Sequence, residues 1–209
     1  MFDCILFDLD GTLIDTNDLV IKSYQHTIRT HLGQDWGPEK FIPYFGEPLI
    51  YSLERFAPGQ AEELIQTYRS FNLANHDALA KEIAGIHATL QVLHQKGITL
   101  GVVTSKLKLS AQRGLGLFGL KDFFQVFVAY EDTEQHKPEA APILHALNSL
   151  QHDTDGVLYV GDSTYDIRCA KAAGVKSAAV MWSAYEREVL LAEQPDYILE
   201  NVSDLLQLI

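Results

Sequence analysis

A chain of 209 residues with 47% hydrophobic side chains can bury a substantial core, which excludes a disordered polypeptide. Its 28 acidic residues outweigh 16 basic ones, and the formal charge of -12 excludes the basic face that a nucleic-acid partner requires. No apolar run approaches the roughly 20 residues that span a bilayer, so no membrane partner is expected.

The N-terminal Met1-Phe2-Asp3 carries no basic or cleavable leader pattern, and a cytoplasmic location is expected. Cys4-Ile5-Leu6-Phe7 is short, apolar and rich in strand formers, and reads as a buried β-strand. It runs straight into Asp8-Leu9-Asp10-Gly11-Thr12-Leu13. Cys4 and Cys169, the only cysteines, read as small buried hydrophobes rather than a disulfide pair.

Beyond Thr16 the texture changes. Leu19, Ser23, His26 and Thr27 fall on one face of a first helix. Leu64, Ile65, Tyr68, Phe71 and Leu79 suit helix over residues 61–79. Between them lies a loop-rich stretch with Pro38, Pro43, Gly46, Pro48, Pro58 and Gly59. The whole is too long for an ordinary connection between strands. Residues 16–80 are therefore expected to form an inserted helical cap. Residues 1–15 and 81–209 are expected to form the α/β core. A cap over the carboxyl edge of a sheet can close on a substrate and exclude water.

Ile86, Leu90 and Leu93 share a helix face before Gly97. Strand-like runs then follow at residues 100–103, 126–129, 157–160, 177–181 and 197–199. Ile143, Leu144, Leu147 and Leu150 form another helix face, and Ala170-Lys171-Ala172-Ala173-Gly174 reads as a helix end. This alternation predicts a parallel sheet with right-handed crossovers, flanked by helices in a Rossmann-like α/β fold.

In such a sheet the carboxyl ends of the strands share one edge, where open α/β folds bind ligands. Four segments bring chemistry there. The first strand delivers Asp8 and Asp10, and the next delivers Thr104-Ser105-Lys106. His136-Lys137-Pro138 lies in a loop before a helix, and Gly161-Asp162-Ser163-Thr164-Tyr165-Asp166 follows the run at 157–160. Each piece has a plain reading of its own: Asp-Gly marks a turn, Thr-Ser caps a helix, and Lys-Pro opens one. Their order relative to the strands is what joins them.

This ordered set resembles the phosphatase branch of the haloacid dehalogenase superfamily. Asp8-x-Asp10-Gly11-Thr12 is similar to its first motif, Thr104 to its second, Lys137 to its third and Gly161-Asp162-x-x-x-Asp166 to its fourth. The helical insertion is similar to its small cap. The resemblance implies that Asp8 is a nucleophile accepting a phosphoryl group, and that Asp10 is the general acid and then the base. Lys137 would be the counter-charge. It implies Mg²⁺ as cofactor, held by Asp8, Asp162 and the backbone carbonyl of Asp10, with Asp166 supporting. Thr104, Ser105, Gly11 and Thr12 are the implied phosphate contacts. Members that act as dehalogenases lack the second acid, so Asp10 points to phosphoryl transfer.

Thr104-Ser105-Lys106 and the segment Phe45-Gly46-Glu47-Pro48-Leu49 resemble the phosphoglycolate phosphatases and the related small inorganic pyrophosphatases. Gly46, Glu47 and Lys106 are the candidate specificity contacts. Ala140 stands where that group often has a second proline after Lys137-Pro138. The implied partner is a small phosphorylated metabolite, with 2-phosphoglycolate first and inorganic diphosphate second. A mutase of the β-phosphoglucomutase type and a non-catalytic binding module are the alternatives.

Overall fold

The computed structural model describes residues 2–209. Strand β1 (Cys4–Phe7) is followed by the two-residue strand β2 (Ile14–Asp15) and three helices, α1 (Asn17–Leu32), α2 (Leu49–Phe56) and α3 (Ala61–Leu79). A second two-residue strand, β3 (Lys81–Glu82), pairs antiparallel with β2, so one short ladder brackets the three helices. Alternation then begins: α4 (Ile86–Gln95), β4 (Thr99–Val103), α5 (Lys108–Leu117), β5 (Val126–Val128) and α6 (Ala141–Leu150). It continues through β6 (Val157–Gly161), α7 (Thr164–Ala173), β7 (Lys176–Val180), α8 (Arg187–Ala192) and β8 (Tyr197–Leu199).

Six strands form one parallel sheet in the order β5-β4-β1-β6-β7-β8. β1 is apolar on both faces because both are covered. Ile5 and Phe7 pack with Leu90 and Leu93 of α4 and Ala111 and Leu115 of α5. Cys4 and Leu6 pack on the other side with Ile143 and Leu147 of α6 and Ala170 of α7. The strand order reverses at β1, between β4 and β6. Ligands bind outside the carboxyl ends of the strands at such a switch point.

The helices between β2 and β3 have a core of their own. Tyr24 stacks on Phe41 with ring centroids 5.1 Å apart and meets Tyr68 edge-on at 4.9 Å. That cluster also takes in Ile167, Tyr185 and Leu190, so the insertion leans on α7 and α8. Two sequence-based faces need correction. On α1 the buried stripe is Leu19, Ser23, Tyr24, Thr27 and Ile28, while His26 lies outside it and stacks on Phe71 at 4.6 Å. On α6 Leu144 is 44% exposed and Ala146 is buried in its place, because the sheet-facing stripe runs 143, 146, 147. Among the described residues no helix is long and apolar enough to cross a membrane.

Candidate active site

The hairpin after β1 is tight. The Asp8 N–H donates to the Val160 carbonyl at 2.9 Å, which carries the sheet pairing one residue beyond the strand. The Leu9 carbonyl then accepts from the N–H groups of Leu13 and Ile14, and the Gly11 N–H donates to Ile14 O at 2.8 Å. Gly11 has φ +78°, and a Cβ there would lie 2.7 Å from Asp162 Cγ. A side chain at this position would be strained and would also push Asp162 away from the hairpin.

Asp8, Asp162 and Asp166 each present a carboxylate oxygen within 4.8 Å of the others, and all three are buried. One cation faces them. Lys137 Nζ donates to Asp8 Oδ1 at 2.6 Å and to Asp166 Oδ1 at 2.7 Å. Asp166 is held further by the Ser163 N–H at 3.0 Å in a reciprocal capping box at the start of α7. The Tyr159 hydroxyl lies 3.2 Å from Asp166 Oδ1. Burial pushes the Asp8 carboxyl up to about 7 against the pull of Lys137. Burial, with Asp166 and Asp8 adding to it, pushes Asp162 up as well. Lys137 is raised despite its burial, because Asp166 and Asp8 favour its charge. The donors are hard oxygens carrying more negative charge than one lysine offsets. That donor set fits a divalent cation such as Mg²⁺.

A cavity of about 640 Å³ opens between this edge and the helical insertion. Asp8, Asp10, Asp162, Thr104, Ser105 and Lys106 line it from the sheet side. The Asp10 side chain stands apart from the three grouped acids, because Thr16 Oγ1 at 2.7 Å and Lys106 Nζ at 2.6 Å both donate to its Oδ1. Gly11 and Thr12 do not line the cavity. Both are buried in the turn of the hairpin, and the Thr12 hydroxyl has no partner there. Lys137 and Asp166 are likewise enclosed below the floor rather than exposed to it. Pro138 does not open a helix, since α6 begins three residues later with Pro142 in its first turn.

The loop between α1 and α2 is clasped to the sheet edge. The Ser105 hydroxyl donates to the Gly46 carbonyl at 2.8 Å and the Tyr185 hydroxyl to the Phe45 carbonyl at 3.1 Å. Glu47 is buried and accepts from the Tyr165 hydroxyl at 2.9 Å and from Arg55. Gly46 has φ +93°, and a Cβ there would lie 3.0 Å from Ser163 Cβ. Gly46 and Glu47 both line the cavity.

The model of the haloacid dehalogenase-like hydrolase family matches residues 5–180, which contain Asp8, Asp10, Thr104, Lys137, Asp162 and Asp166. The chain belongs to that family. Pyrophosphatase PpaX of Anoxybacillus flavithermus is 43% identical over 205 residues, covering 98% of this chain and 95% of that protein. Pyrophosphatase PpaX of Halalkalibacterium halodurans is 40% identical over 205 residues, covering 98% and 95%. A haloacid dehalogenase-like family hydrolase from Streptococcus pneumoniae superposes with TM-score 0.88 at 27% identity, covering 99% of this chain and 98% of that one. The chain is thus a haloacid dehalogenase-like phosphatase built on the α/β fold expected from its strand pattern.

Several partners in this haloacid dehalogenase-like site escaped the sequence reading. Ser163-x-x-Asp166 is a capping-box pattern, so the seating of Asp166 was legible in principle. Tyr159 was visible only as a strand residue. Arg55, Tyr165 and Tyr185 reach the Phe45–Glu47 loop only through packing of distant segments, and no local pattern marks them.

Proposed function

We propose that this hydrolase cleaves inorganic diphosphate in a Mg²⁺-dependent reaction through an aspartyl-phosphate on Asp8. What carries the chemistry is one observation: Asp8, buried at the switch point, faces the cavity with Lys137 at 2.6 Å and Asp162 beside it. In this reading an Asp8 oxygen attacks phosphorus and forms the acyl phosphate as the bond to the leaving oxygen breaks. Asp10 gives that oxygen a proton and then takes one from water. The water oxygen bonds to phosphorus, the Asp8–phosphorus link breaks and phosphate departs. Lys137 holds Asp8 in place and offsets its charge. Thr104 presents its hydroxyl, and the nearby backbone N–H groups theirs, to the phosphoryl oxygens. Mg²⁺, held by Asp8, Asp162 and the Asp10 carbonyl with Asp166 behind them, would neutralise those oxygens. Residues 16–80 serve as the cap over a core of residues 1–15 and 81–209, and the β2–β3 ladder supports that division.

The pyrophosphatase names of relatives at 40% and 43% identity favour diphosphate over the other small phosphoesters. 2-Phosphoglycolate, the first expectation from sequence, becomes the second reading, supported by Thr104-Ser105-Lys106 and the Gly46-x-Pro48 loop. Parallel assays of phosphate release with Mg²⁺ rank the two. Diphosphate is expected to give the higher kcat/KM, and Asp8→Asn is expected to lower turnover of it roughly a thousandfold or more. A variant with full turnover would remove Asp8 as nucleophile. A higher kcat/KM on 2-phosphoglycolate would reverse the order of substrates.

A further inference from the structure

The chain has six arginines. Arg29, Arg55, Arg113, Arg168 and Arg187 meet Asp35, Glu47, Asp77, Glu193 and Glu200 respectively. Arg69 meets no carboxylate among the described residues, although it lines the cavity. The wall that α3 presents there consists of Ile65, Tyr68, Arg69, Asn72 and Leu73. Those positions follow the i, i+3, i+4, i+7, i+8 spacing of one helix side. Arg69 is the single charged group on that wall. Asn72 on the same stripe already donates to Ser23 Oγ at 3.2 Å.

The charge balance of the cavity gives this arginine a task. Asp8, Asp10, Glu47, Glu131 and Asp162 line it, against only two basic residues, Lys106 and Arg69. Lys106 is engaged by Asp10 at 2.6 Å. A leaving group that carries negative charge enters a space rich in carboxylates, and its charge needs a donor that is not already paired. A guanidinium offers a planar fork matched to carboxylate and phosphate oxygens, and Arg69, an exposed residue of α3, lines the same cavity as Asp8 and Asp162.

We propose that Arg69 is a subsite for the second anionic group of the substrate, the phosphate or carboxylate borne by the leaving group. Arg69 thereby selects phosphoesters whose leaving group is charged. The subsite rests on the phosphatase reading above and specifies which leaving groups it takes.

The test compares wild type, Arg69→Met and Arg69→Lys on inorganic diphosphate, 2-phosphoglycolate and methyl phosphate, whose leaving group is uncharged. In Arg69→Met the ratio of kcat/KM on each charged substrate to that on methyl phosphate is expected to fall about tenfold or more. The loss is expected in KM rather than kcat, with partial recovery in Arg69→Lys. An unchanged ratio, or an equal loss on all three substrates, overturns the subsite and leaves the phosphatase reading standing. No phosphate release from any of the three by wild type overturns that reading, and the subsite falls with it.

Discussion

Lys137 has 1% of its side chain exposed and lies between two carboxylates, Asp8 and Asp166. A buried cluster of this kind is poor at adding stability, because desolvation offsets its attraction, yet removing one member leaves uncompensated charge behind. Lys137→Met is therefore expected to lower the unfolding free energy of the metal-free protein by about 3–5 kcal/mol, measured by urea denaturation. A loss within a few tenths of a kcal/mol would mean that Lys137 is not the charge that holds the cluster. The motif order made Lys137 legible as the partner of Asp8. Its second partner was hidden, because Asp166 reaches Lys137 only once α7 is seated by Ser163. The thiols of Cys4 and Cys169 carry no comparable role, since burial pushes both up to about 12 and keeps them protonated.

At the scale of elements, the informative piece is the Phe45–Glu47 loop. Hydroxyls of Ser105, Tyr165 and Tyr185, from three separate segments of the sheet side, hold it down. Gly46 allows this approach, because its positive φ and the nearness of Ser163 both exclude a side chain. Gly46→Ala is expected to cost about 1–2 kcal/mol of stability and to raise KM, with unfolding curves and steady-state rates as the readouts. Unaltered stability together with unaltered KM would show that the clasp shapes nothing. The Gly-x-Pro pattern identified the loop as a candidate contact. Glu47 was legible as a candidate specificity contact, and its pairing with Arg55 and Tyr165 was not.

Across the whole molecule the strand order places β4, β1 and β6 side by side, so Thr104, Asp8 and Asp162 converge on one edge. The convergence gathers acids out of water, and this has a consequence for stability. Asp8 rises from 3.8 to about 7 through burial, so its contribution to folding is most favourable below 3.8 and is lost as pH climbs through about 7. The metal-free protein is thus most burdened by this site above pH 7, where Asp8 is ionised. A cation that binds ionised carboxylates relieves that burden there. Mg²⁺ is expected to raise the melting temperature more at pH 8 than at pH 5.5. Equal shifts at both pH values, or none at either, would argue against a cation at Asp8, Asp162 and Asp166.

The sequence by itself determined the α/β class, the six strands of the sheet and the four loops that carry chemistry. It could do so because strand and helix periods are local properties and because a parallel sheet puts its carboxyl ends on one side. It also determined Asp8, Thr104, Lys137 and Asp162 as members of one site, since each directly follows a strand or fills a motif position. Only the tertiary structure decided that Gly11 and Thr12 are buried in the hairpin turn, that Asp10 turns to Thr16 and Lys106, and that Glu47 is already paired. It alone showed Arg69 without a carboxylate on the α3 wall. These depend on contacts between segments many residues apart, and no spacing along the chain encodes which side chains such segments will bring together.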